Sequence, residues 1–169
     1  MTIIKTKDLI LRKAKKGDME SLWENFNDGL VTKSFVTFPT EKKFKSDFKQ
    51  GILKKEKDGE RLVIEVNRKA VGKINISLFD PYNKTQAKIG YWIGKDYRGK
   101  GIVTKAIKLA VPYWMKKYKL KRVEARARTY NKASARVLEK AGFKLEGILR
   151  KNIYKDGKWY DDFLYARVR

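Results

Sequence analysis

The chain has no cysteine and no histidine among its 169 residues. Without cysteine there is no disulfide, no thiol nucleophile and no thiolate zinc site. Without histidine the Ser-His-Asp and Cys-His arrangements fall away, as does the side chain most often used as a general base near neutral pH. Proline occurs only at Pro39, Pro81 and Pro112, and no Ser/Gly linker, low-complexity stretch or internal repeat breaks the chain. One domain over residues 1–169 is therefore expected, of a size that buries about two thirds of its unfolded surface. No apolar run approaches the roughly 20 residues of a membrane span. The opening Met1–Lys7 lacks the apolar core of a signal peptide. The expected location is the cytoplasm, with no membrane partner and no metal centre.

Acidic residues are scarce too. Nineteen Asp plus Glu stand against 42 Lys plus Arg, a formal net charge of +23. Such a field attracts polyanions, including ribosomes, RNA and phosphorylated ligands. The basic residues run from Lys5 to Arg169 without a tail or a regular basic-aromatic alternation. A lysine excess on solvated faces therefore explains them equally well.

Periodicity supplies the elements. Leu9–Arg12 reads as a strand, and Asp18 as the N-cap of a helix through Leu22, Trp23 and Phe26. Phe44, Phe48, Ile52 and Leu53 form a helical stripe within 41–57. Arg61–Val66 and Ala70–Leu78 flank a hairpin turn at Asn67-Arg68-Lys69. A strand over 86–93, a helix over 102–118 and a strand over Lys121–Arg128 follow. A short helix near 132–141 has Gly142 as its C-cap, and strands Phe143–Arg150 and Trp159–Arg169 surround a turn at Lys155–Lys158. The fold class expected is α/β, a mixed, mostly antiparallel sheet of about seven strands with helices on both faces.

The most informative stretch is Tyr97-Arg98-Gly99-Lys100-Gly101-Ile102-Val103-Thr104. It joins an apolar strand to a helix carrying Ile102, Val103, Ala106, Ile107, Ala110 and Val111 at helical spacing. Glycines before a helix N-terminus make an anion cradle, suited to a pyrophosphate. The P-loop is excluded because Lys100 is followed by Gly101, and the dinucleotide fingerprint because position 104 is Thr.

What remains, Arg98-x-x-Gly101-x-Val103, resembles motif A of the GCN5-related N-acetyltransferases (GNAT), which cradles the pyrophosphate of acetyl-coenzyme A; Val103 departs from its usual Gly/Ala. The stretch Asn131–Phe143 is similar to motif B of the family's ribosomal-protein-alanine (RimJ/RimL-type) branch. Lys7–Arg12 with Gly17-Asp18, and Gly147–Arg150 with Asp161–Arg167, resemble the same branch. The resemblance implies a GNAT fold over essentially the whole chain and acetyl-coenzyme A (acetyl-CoA) as donor. It implies that Trp92, Ile93 and Gly94 offer backbone groups to the pantetheine, and that Arg98, Gly99, Lys100, Gly101, Ile102, Val103 and Thr104 hold the pyrophosphate. It places Asn131, Ser134 and Arg136 on the cofactor, with Ser134 assisting the leaving thiolate as the catalytic residue. Many members carry a Tyr for that purpose where this chain has Leu138. The glutamate that the branch uses as a base aligns to Ile153, which leaves Glu65, Glu124, Tyr91 and Tyr154, or a water held by backbone carbonyls, as alternatives. Glu65 and Glu124 are expected to face solvent.

The missing base bears on the acceptor. An α-amine, with a pKa near 7.7–8.0, needs little help to lose its proton; a lysine ε-amine near 10.4 needs far more. The expected activity is acetyl-CoA-dependent N-acetylation of a protein or peptide N-terminus, ribosomal proteins included. Alternatives are a small-amine acetyltransferase acting on a polyamine, amino acid or aminoglycoside, and a non-catalytic CoA- or RNA-binding module. Ribosome association and a homodimer are the partner expectations.

Overall fold

The computed structural model describes residues 2–29, 31, 39–53, 58–78 and 85–169, and of 51–53 the backbone alone. The side chains of Ile52 and Leu53, residues 54–57 and Pro81 lie outside the described residues. Among the described residues, eight strands form a mixed sheet in the order β1-β2-β3-β4-β5-β6-β8-β7. They are β1 (Thr2–Lys5), β2 (Ile10–Arg12), β3 (Gly59–Val66), β4 (Lys69–Leu78), β5 (Gln86–Ile93), β6 (Arg122–Arg128), β7 (Lys144–Lys155) and β8 (Lys158–Val168). The helices are α1 (Met19–Phe26), α2 (Glu41–Leu53), α3 (Ile102–Lys117) and α4 (Lys132–Lys140). None of them is long and apolar enough to cross a membrane. By its contacts the chain divides into two compact units, Met1–Asn75 with Tyr91–Ile102 and Ile76–Gly90 with Val103–Arg169.

In the first unit, β3 turns into β4 through Asn67 and Arg68, at φ +48° and +64°. Two consecutive left-handed residues make the type I′ turn whose twist suits a hairpin. Leu22 of α1, Phe48 of α2, Val63 of β3 and Ala70 of β4 form a buried cluster, with Met19, Phe44 and Trp92 packed against it. β1 is the strand beyond the expected seven. Four residues with two apolar ones show no readable alternation, and antiparallel pairing with β2 makes the segment a strand. Asp18 departs from its expected part as well. It directly precedes α1 but its carboxylate does not cap that helix. It accepts instead from both terminal nitrogens of Arg12, at 2.6 and 2.7 Å, and from the Lys15 N–H at 2.7 Å. A bidentate guanidinium is a stronger partner than a helix amide.

In the second unit, α3 buries Val103, Ala106, Ile107, Ala110, Val111, Trp114 and Met115, one continuous face. Pro112 sits inside this helix and removes the donor that the Lys108 carbonyl would otherwise meet. β6 alternates, burying Val123, Ala125 and Ala127, and pairs antiparallel with β8. β7 runs five residues beyond the expected Arg150 and pairs with β8 to the turn at Asp156-Gly157. Its pairing shifts between Leu149 and Ile153, where four steps along β7 answer two along β8. Lys151 in this bulge takes φ +48° and donates its N–H to Asp161 at 2.7 Å, while the Asn152 amide donates to Asp162 at 2.7 Å. Arg150 had looked like a strand end because the bulge interrupts the alternation there.

Candidate active site

β5 pairs in parallel with β6 from Gln86↔Arg122 to Ile89↔Ala125, and Gly90–Ile93 continue past the last pair. In the first unit this continuation leads directly to the glycine turn. Trp92 meets Phe26 edge-on, 5.1 Å between ring centroids, and Ile93 is buried. The Gly94 N–H donates to the Val71 carbonyl at 2.9 Å, so within 92–94 that amide is already engaged by protein. Gly94 has ordinary extended backbone (φ −59°, ψ 153°), yet only glycine fits. A Cβ there would lie 2.6 Å from Cγ and 2.9 Å from Cβ of Asn25, and closer still to its Oδ1.

After a 3-10 turn at Lys95–Tyr97, Arg98 is extended and both Gly99 and Gly101 stand at φ +72°. A Cβ at either glycine would meet nothing within 4 Å. Backbone conformation, not crowding, is what requires glycine at these two positions. The turn opens into α3, whose first turn carries no acidic side chain to offset the positive end of the helix. Left-handed glycines beside open space at such an N-terminus fit a diphosphate. Lys100 is exposed, and its ammonium lies 5.9 Å from the centre of the Tyr97 ring. Ile102 and Thr104 are half-buried, whereas Val103 belongs to the core face of α3, which accounts for an apolar residue there. The Arg98 guanidinium is held by Asp28, with Nη2 2.8 Å from Oδ2.

In the second unit, Asn131 caps α4 by accepting the Ser134 N–H at 3.1 Å. Ser134 is half-buried in the first turn of α4, and Arg136 is exposed. Leu138 is fully buried, so the position that carries a tyrosine hydroxyl in many relatives is core here.

The four alternative bases divide. Glu65 does not face solvent: it is 8 % exposed and bonded to Nε of Arg12, which also holds Asp18. Its place opposite Ile10 in the β2–β3 pairing brings it to that guanidinium. Glu124 is likewise occupied, 2.8 Å from Arg122, which also grips Glu146. Tyr154 is exposed and packs its ring on Trp159 at 5.1 Å. Tyr91 is half-buried on β5. Ile153 follows the β7 bulge and pairs with Tyr160. Beside it, Asp162 is 1 % exposed and tied to both Arg128 and Asn152, a carboxylate committed to structure. Tyr130 has its phenol pushed up by burial, with Tyr160 and Asp162 adding to the rise and Arg128 opposing it, so it stays protonated near neutral pH. Sequence reasoning missed Asn25, Asp28 and the Arg128–Asp162–Asn152 group. Only Gly94, a glycine directly after a strand, signalled any of them.

The family model described as an acetyltransferase (GNAT) domain matches residues 8–144. "Probable N-acetyltransferase YjcK" of Bacillus subtilis (strain 168) is 49% identical over 80 residues, 47% of this chain and 44% of that protein. The "Ribosomal-protein-serine acetyltransferase" of Escherichia coli (strain K12) is 33% identical over 98 residues, 58% of this chain and 54% of that protein. The chain spans about half the length of these curated relatives. Among solved structures, the microcin C7 self-immunity acetyltransferase MccE in complex with acetyl-CoA and AMP is similar at TM-score 0.85 and 27% identity. It covers 97% of this chain and 94% of its own.

Proposed function

The chain belongs to the GNAT acetyltransferase family, and from that premise we propose that it transfers the acetyl group of acetyl-CoA to an amine, preferring the N-terminal α-amine of a protein or peptide. The observation that carries the proposal is the pair of left-handed glycines, Gly99 and Gly101, open at the head of α3. Backbone amides of Gly99–Thr104 would hold the diphosphate, with Lys100 adding charge from outside. When bound, acetyl-CoA supplies an activated acetyl thioester. Trp92 and Ile93 would offer backbone groups to the pantetheine arm. In the second unit Asn131 and Ser134 would contact the cofactor, and the Ser134 hydroxyl would donate to the departing sulfur. Arg136 would add a cation at the rim.

Preference for an α-amine rests on the missing base. The sheet carboxylates Glu65, Glu124 and Asp162 are each already held by an arginine, and the buried Glu60 by Lys13. An acceptor that is about 10–20 % unprotonated at pH 7 suits such a site; a lysine ε-amine, unprotonated well below 0.1 %, does not. The net charge of +23 also opposes a polyamine on approach. The name of the E. coli relative, which specifies a ribosomal-protein serine, supports a protein acceptor.

Thiol release from acetyl-CoA, measured with peptides bearing free N-termini and with spermidine, tests the proposal. Turnover with the peptides well above that with spermidine is expected; release with spermidine alone would refute it. Ser134→Ala should lower kcat on the order of tenfold or more with little change in cofactor affinity. An unchanged kcat would remove Ser134 from the chemistry.

A further inference from the structure

The side chain of the arginine in the glycine turn is 27 % exposed, but one end of its guanidinium is already engaged. Its Nη2 lies 2.8 Å from Oδ2 of Asp28, just beyond the end of α1, and both atoms are shielded from solvent. The approach is ionic, not aligned as a hydrogen bond. We propose that Asp28 is a positioning residue for the cofactor turn, and that Arg98 serves as the anchor of that turn on the end of α1 and not as a cation on the diphosphate. The inference rests on the proposed use of acetyl-CoA.

Two further contacts, both within the same unit, tie the segment before the turn to α1. Trp92 packs on Phe26. Asn25, whose amide donates to the Ser21 carbonyl at 2.8 Å, fills the space over Gly94. The chain from Gly94 to Arg98 is closed by Tyr97 N–H to Gly94 carbonyl and Arg98 N–H to Lys95 carbonyl bonds. The Arg98–Asp28 pair is the last of these ties before two glycines with nothing within 4 Å of a Cβ. Glycine has the widest conformational freedom of any residue, so the geometry of Gly99–Gly101 is set by what holds its flanks. Turning Arg98 toward a diphosphate would break a shielded ion pair and leave the Asp28 carboxylate without its guanidinium beside a second anion, a costly exchange.

Charge alone predicts the opposite sign from positioning, which makes the test sharp. If Asp28 merely repelled the diphosphate, Asp28→Asn would tighten CoA binding and free Arg98 to strengthen it further. If Asp28 positions the turn, the same change loosens binding, by on the order of five- to tenfold in Kd. The experiment is calorimetric titration of CoA into the wild-type chain, Asp28→Asn, Arg98→Gln and the double variant, with a thermal melt of each. The expected result is weaker binding in both single variants and no further loss in the double variant, because each change breaks the same pair. Both single variants should melt a few degrees below wild type, as expected for a partly shielded pair, so binding is compared at a temperature where each is folded. Arg98→Lys, which keeps the charge without the planar fork, should also bind more weakly and serves if Asp28→Asn does not fold. Tighter or unchanged CoA binding in Asp28→Asn, or additive losses in the double variant, would overturn the inference. A wild-type chain that binds no CoA would instead refute the proposed function.

Discussion

Replacing Gly94 by alanine tests how firmly the strand before the turn is seated on α1. The backbone at Gly94 (φ −59°, ψ 153°) suits any residue, so conformational strain contributes nothing. The cost is steric. The new methyl would sit 2.6 Å from Cγ and 2.9 Å from Cβ of Asn25. Because Asn25 Cβ is itself too close, rotating the amide alone does not clear the clash; the whole side chain or the end of α1 has to move. That movement breaks the bond from the Asn25 amide to the Ser21 carbonyl. A lost hydrogen bond costs about 0.5–1.5 kcal/mol and overpacking about 1–3 kcal/mol, so Gly94→Ala should destabilise the fold by roughly 2–4 kcal/mol. Urea unfolding would read this as a lower midpoint at unchanged slope. Adding Asn25→Gly should recover most of the steric part, a coupling that a double-mutant cycle detects. A Gly94→Ala variant within about 0.5 kcal/mol of wild type, or one whose loss Asn25→Gly leaves untouched, would refute the reasoning.

Other consequences can be checked alongside it. Gly101→Ala should cost about 1–2 kcal/mol for a left-handed alanine and weaken CoA binding, read by melting and titration together. Asn131→Ala removes the α4 cap and should cost about 1 kcal/mol in urea unfolding. The Asp18 carboxyl is pushed up by burial but held down more strongly by the Arg12 guanidinium and the Lys15 N–H, and ends below the usual carboxylate range. Its contribution to stability is therefore full above about pH 4 and is lost as pH falls from there toward the lowered folded value. Urea midpoints across this range should fall more steeply for wild type than for Asp18→Asn, which should already be weaker at pH 7.

What was legible in the sequence was local. Left-handed turns at Asn67-Arg68, at Gly99 and Gly101 and at Asp156-Gly157 follow from residues whose conformational freedom is visible one at a time. Asn131 at the head of α4 announces its cap in the same way. The α3 face from Val103 to Val111 shows because apolar residues repeat there at helical spacing, and the structure extends it to Trp114 and Met115. Pairings between distant residues were not legible. Glu65 looked like a solvated strand carboxylate until folding brought Arg12, 53 positions away, to its side. Asp162 meets Arg128 only because β6 and β8 pair in register. Asp28 and Arg98 are 70 positions apart, and no spacing rule connects them. The β7 bulge stayed hidden because Asp161 and Asp162 stabilise it from the neighbouring strand.

The central claim is acetyl transfer from acetyl-CoA to an α-amine at a site without a dedicated base. One peptide carrying both a free N-terminus and an internal lysine, incubated with acetyl-CoA and the protein at pH 7, tests it most directly when the product is mapped by mass spectrometry. Acetylation at the N-terminal nitrogen, dependent on the protein and abolished when acetyl-CoA is omitted, is the expected result. Acetylation of the lysine instead, or no acetylated peptide at all, would contradict it.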